Sequence, residues 1–212
     1  MSYLRDVVSL ARKDLLLELR ARDTVPAMLL FVVSALVVFH FALPSDASEL
    51  AAKGLLWVAL VFTALLGLAR AFAAEREQGL LDGLVLAPCD RSAIWLAKAV
   101  AMLAFLLLAE LVALPVFALL YSGIDGTTVA GVALADLGIA AVGTLLAAMA
   151  ASSRTRELLL PLLFLPLAVP IVVGGVGASL GGGGGRYLGL LAVYDGIFAI
   201  ISWASFEYVV TE

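Results

Sequence analysis

Six runs of apolar residues set the plan of this chain: 25–43, 54–73, 93–121, 128–151, 157–176 and 187–209. Each is close to the ~20 residues that a helix needs to cross a bilayer. The third, fourth and sixth are long enough to tilt or to project beyond the hydrocarbon. The joins between runs are short, apart from a charged island over 74–92 and a glycine-rich segment over 174–185. Ahead of the first run, residues 3–22 alternate differently. Leu4, Val7, Val8, Ala11, Leu15 and Leu19 recur at three- and four-residue spacing, with Arg5, Arg12, Lys13 and Arg20 on other faces. That pattern predicts an amphipathic helix lying in the membrane interface. A solvated helix packed on a partner is the other reading.

Composition forces the same class. Of 212 residues, 64% are hydrophobic and 14% charged, and the mean hydropathy is +1.12. Soluble domains run at about 45–50% apolar and about 25% charged, so lipid is the solvent for most of this surface. The expected fold is an all-α integral membrane domain over 1–212. It has six transmembrane helices, the N-terminal interfacial helix and a cytoplasmic coupling helix within 74–92. The charged start and long first run predict no cleavable signal peptide. The one cysteine, Cys89, excludes an internal disulfide and a cysteine-rich metal site.

The net charge of −4 says little, whereas the placement of charge says more. Eleven of the 13 basic residues fall before the first run, around the island, or between runs four and five. Lys53 and Arg186 are the two at the other end. Lys and Arg mark the cytoplasmic side, so the island and both termini are expected there. The opposite loops are too short for an external domain.

No Gly-x-x-x-x-Gly-Lys-Ser/Thr phosphate loop, HExxH, CxxC or serine-hydrolase elbow occurs. An enzyme has no positive support, no metal site is expected, and nothing points to nucleic acid. The run GGVGASLGGGGGR reads as a flexible outward loop. His40, the single histidine, sits between Phe39 and Phe41. It is a weak candidate haem ligand, or simply an interfacial aromatic. Glu110 lies deep in the third run with no basic residue near it in sequence. It is either a structural hydrogen-bonding group or an intramembrane polar site. Asp136 and Asp195 read as nearer the outer helix ends and solvated. Pro161, Pro166 and Pro170 predict a bent fifth span packed inside the bundle or at a subunit interface, static or gating.

Within the island, Glu75, Glu77 and Gln78 suit a helix N-terminus. Gly79 and Gly83 loosen that helix, Leu80, Leu81, Leu84, Val85 and Leu86 form an apolar cluster, and Pro88 ends it. Asp90 or Ser92 can cap the next helix. A short helix with an apolar patch and flanking charges is a knob for another protein's groove. Folding back on its own bundle is the alternative.

This island resembles the cytoplasmic loop of ABC-2-type permeases, through Glu75, Glu77, Gly79, Leu80, Leu81, Leu84, Pro88 and Lys98. Three further segments resemble the cytochrome c maturation protein B family, the haem exporter permease subunit. They are KDLLLELRARDTVPAMLLFVVSALVVFHFAL, GLLWVALVFTALLGLARAFAAEREQG and ELLLPLLFLPLAVPIVVGG. The resemblance implies docking of a separate ATPase subunit (maturation protein A) on the island residues. It also implies assembly with a haem-handling membrane protein C and a small protein D, and an indirect link to a haem chaperone, protein E. A homodimer in a prokaryotic cytoplasmic membrane is implied too, with haem as substrate and ATP handled by the partner. The tryptophan-rich haem motif of protein C has no counterpart here, since Trp57, Trp95 and Trp203 are scattered. A non-conducting scaffold coupling ATP hydrolysis to haem-chaperone release stays open, as does a generic ABC-2 exporter of another amphipathic substrate.

Overall fold

A computed structural model describes residues 3–44, 48–73, 75, 89–121, 123–151, 153, 155–180 and 183–211, with the side chains of 156, 157, 210 and 211 left aside. Seven helices run in order among them: α1 (Tyr3–Ala21), α2 (Thr24–Ala42), α3 (Glu49–Arg70), α4 (Arg91–Leu120), α5 (Gly126–Ala151), α6 (Arg156–Ser179) and α7 (Gly184–Thr211). Six of them, α2 to α7, are long and apolar enough to cross a membrane. The protein is thus an all-α integral membrane protein.

Local chemistry sets the helix ends. Ser48 caps α3, its hydroxyl accepting from the Ala51 N–H at 3.3 Å. Asp90 caps α4 through the Ser92 N–H at 2.9 Å. Asp125 accepts from the Thr128 N–H at 3.0 Å at the start of α5. Between α1 and α2 the chain turns sharply. Arg22 adopts a left-handed φ of 55°, and its N–H donates to the Glu18 carbonyl at 2.7 Å, a left-handed helix stop. The Glu18 carboxylate then accepts both the Thr24 and Val25 N–H groups at 2.8 Å. The last turn of α1 therefore caps α2.

The centre of the bundle is α5, the most buried span, while α2 and α7 are the least buried. Its sequence explains this, for AGVALADLGIAAVGTLLAAMAA is rich in alanine and glycine. Without a hydrophobic drive between helices in lipid, small residues that let backbones approach carry the packing. The proline-bearing α6, expected bent and either inside the bundle or at a subunit interface, is a continuous helix with much less of its surface covered than α5. The Tyr194 hydroxyl of α7 donates to the Leu167 carbonyl at 2.9 Å, between Pro166 and Pro170. A neighbouring helix thus satisfies backbone that the prolines disturb.

The glycine-rich segment also departs from the expected loop. Gly174, Gly175 and Gly177 lie within α6. A methyl group on Gly175 would overlap the Trp57 ring, and one on Gly177 would overlap the Tyr187 ring. These glycines are close-contact surface. Trp57 then donates to the Ser179 hydroxyl at 3.1 Å. Lys53, read as a loop residue, is buried in α3. It pairs with Glu49 at 2.7 Å and donates to the Ser179 carbonyl.

The first helix packs on the start of α4 through Val7, Ala11, Ala93 and Ala97. With 30 residues, α4 is about 45 Å long at 1.5 Å per residue, against about 30 Å of hydrocarbon. Its excess length gives α1 a seat. The apolar stripe of α1 divides in two. Val7 and Ala11 face α4, while Leu4, Val8 and Leu19 remain exposed.

Candidate functional site

Where α1, the end of α3 and the start of α4 meet, four charged side chains interlock. Lys13 reaches Glu75 Oε1 at 2.5 Å and Asp14 at 3.0 Å. Lys98 reaches Glu75 Oε1 at 2.8 Å and Asp14 at 3.1 Å. Its Nζ also donates to the Ala71 carbonyl at 2.8 Å and lies 4.9 Å from the centre of the Phe72 ring. The Glu75 and Lys98 side chains are 5% and 6% exposed, so this is a buried network. Two cations face two anions, the neutral arrangement that burial demands.

The local reasons are plain. Lys98 sits two turns inside α4 with an apolar stem, and extends its ammonium toward the charged end of the bundle. Burial alone would push the Glu75 carboxyl up. The Lys98 charge and the hydrogen bonds from Lys13 and Lys98 outweigh it and hold the carboxyl below its usual 4.5. Burial likewise works to lower Lys13, yet Glu75 and Asp14 raise it above 10.5. Beside the network lies a cavity of ≈ 240 Å³, lined by Asp14, Leu17, Gly67, Arg70, Met102 and Phe105 among others.

Mechanically, the network is a clamp. It fastens the residue that opens the island to both α1 and α4. Of the island residues read as docking contacts, Glu75 is described, and its carboxylate turns inward to the two lysines. Glu77, Gly79, Leu80, Leu81, Leu84 and Pro88 lie outside the described residues. The sequence reading missed Lys13 and Asp14 as Glu75's neighbours. The available signal was Lys98 itself, a cation inside an apolar run that requires an anion nearby.

A second polar feature lies deeper. Glu110 on α4 and Asp136 on α5 hydrogen-bond side chain to side chain and are 7% and 2% exposed. Asp136 is therefore not solvated, and Glu110 is not alone in the interior. Asp195 also turns inward, its Oδ1 packed against Gly138, with neither oxygen hydrogen-bonded among the described residues. His40 lies outside both clusters, with edge contacts to Phe41 and Tyr121 at 5.5 and 5.3 Å.

Comparison with known proteins adds the family. The family model described as CcmB protein matches residues 5–205. The chain is 34% identical over 180 residues to heme exporter protein B of Bradyrhizobium diazoefficiens, covering 81% of this chain and 79% of that one. It is 33% identical over 178 residues to heme exporter protein B of Rhodobacter capsulatus, covering 79% of each. The protein of that name in Pseudomonas aeruginosa is 31% identical over 174 residues, covering 80% of this chain and 78% of that one.

Proposed function

This chain belongs to the CcmB protein family, and we propose that it is the membrane permease subunit of a haem export system for c-type cytochrome biogenesis. The observation that carries this reading is the match along almost the whole chain, joined to six helices able to span a membrane. Haem is the transported substrate. The chain has no phosphate loop, so ATP is bound and hydrolysed by a separate ABC ATPase subunit, maturation protein A.

That ATPase docks on the island through Glu77, Gly79, Leu80, Leu81, Leu84 and Pro88. Glu75, clamped by Lys13 and Lys98, carries the resulting movement into α1 and α4. The wider assembly includes the haem-handling protein C and the small protein D, with the haem chaperone protein E served indirectly. Two copies of this chain present two docking segments. The concentration of Lys and Arg at one end of the bundle supports both termini and the island facing the cytosol of a prokaryotic cytoplasmic membrane.

The cavity beside the clamp, at ≈ 240 Å³, falls below the ~300–1,000 Å³ of small-molecule pockets. A second cavity, lined by Leu68, Phe72, Ala147, Leu160 and Pro161 among others, is ≈ 340 Å³ and falls inside that range. The other reading is a scaffold that couples ATP hydrolysis to release of the haem chaperone. Replacing Leu81 and Leu84 with Asp tests the docking. Co-purification with the ATPase is expected to vanish while the protein stays in the membrane, and undiminished recovery of the ATPase would refute the assignment.

A further inference from the structure

The α4–α5 hairpin turns about Gly123, and it carries one acid on each arm at matching distance from the turn. Glu110 precedes the turn by as many residues as Asp136 follows it. Each lies ten residues from the outer end of its helix, Leu120 or Gly126, which is about 15 Å at 1.5 Å per residue. That depth is inside the hydrocarbon of a bilayer about 30 Å thick. The two carboxyls hydrogen-bond to each other there and are nearly sealed from solvent.

Two ionised carboxylates have only acceptors to offer, so a hydrogen bond between them needs a proton on one. No Lys, Arg or His pairs with either group among the described residues. Lys98, on the same helix, is occupied by Glu75 and Asp14. Lys53, at the outer end of α3, is occupied by Glu49 and Ser179. Asp195, the remaining acid at this depth, packs against Gly138 of α5 and adds no positive charge. Like charges this close, away from water, cannot both persist. One oxygen left over from that bond, Asp136 Oδ2, is buried and has no hydrogen-bond partner among the described residues.

The geometry points to a proton-binding site within the membrane, formed by Glu110 and Asp136, in which one carboxyl carries the proton and the other accepts its hydrogen bond. The proton holds α4 and α5 together where no cation is available, and Asp136 Oδ2 is an unpartnered atom at which a proton is taken up or given back. The site rests on the burial and pairing of these two acids and is independent of what the protein transports.

Infrared spectroscopy of the full-length protein in lipid vesicles tests it. A protonated carboxylic acid has a carbonyl stretch separate from the amide band, and that stretch shifts in D₂O. The expected result is such a band in the wild type. It disappears in Glu110→Gln and in Asp136→Asn, because an amide supplies a permanent donor to the remaining carboxylate. The Asp195→Asn protein keeps this band. The Glu110→Gln, Asp136→Asn double variant has two neutral groups of the same shape, and its folding is checked by gel filtration. If a single variant does not fold, the wild type against the double variant decides the matter. A band that survives in the double variant when Asp195→Asn is added to it overturns the site. So does a spectrum of ionised carboxylates only, whose stretches respond to added sodium or calcium, since the ligand would then be a metal cation.

Discussion

Replacing Lys98 with Met removes the cation that closes the clamp and keeps the length of the apolar stem. The variant loses the contacts to Glu75 at 2.8 Å and Asp14 at 3.1 Å, the hydrogen bond to the Ala71 carbonyl and the approach to the Phe72 ring. Breaking a buried ion pair by removing one partner costs about 3–5 kcal/mol, because the other charge is left unpaired. Here Lys13 still reaches both carboxylates, which places the expected loss at the lower end, about 3 kcal/mol. By the scaling of domains of this length, the thermal midpoint falls by roughly 6–12 °C, read by a thiol-independent fluorescence melt in detergent. Adding Glu75→Gln removes the stranded charge, so the double variant is expected to recover about 1–2 kcal/mol relative to Lys98→Met alone. A Lys98→Met protein within about 0.5 kcal/mol of wild type, or a double variant in which the two losses simply add, would refute the clamp.

Three more outcomes are expected from the same structure. Glu75 has its carboxyl held below 4.5, so its contribution is full at neutral pH and is lost as pH falls below that value. The stability gap between wild type and Glu75→Gln therefore narrows in melts taken toward pH 4. Gly175→Ala sets a methyl group against the buried Trp57 ring and is expected to cost about 1–3 kcal/mol. Gly54→Ala, inside α3 with open space around it, gains up to about 1 kcal/mol, and paired melts separate the two. His40 touches rings only at its edge, so His40→Ala leaves cytochrome assembly, scored by haem stain, at the wild-type level.

The spans were legible because a ~20-residue apolar run has few alternatives. Their ends were less so. The third helix begins at Glu49, earlier than the expected 54, because Lys53 reads as a loop residue from sequence. In the fold Lys53 is buried with Glu49 and the Ser179 carbonyl for company. Gly175 looked like loop composition, since nothing in one sequence says that a tryptophan far earlier in the chain, Trp57, packs on it. The meeting of Lys13 with Glu75 spans 62 positions and depends on how α1 folds back along α4, which local pattern does not encode. The Glu110–Asp136 pair is different. Counting outward from Gly123 places both acids at one distance from the turn, a signal in the sequence that they share a depth.

The central claim is a haem-export role in c-type cytochrome biogenesis, and the most direct measurement is haem staining of membranes from the parent organism with this gene deleted. Apocytochromes are expected to be made and exported while covalently haem-bearing c-type cytochromes are lost, and the intact gene is expected to restore them. Normal c-type cytochromes in the deletion strain would contradict the claim.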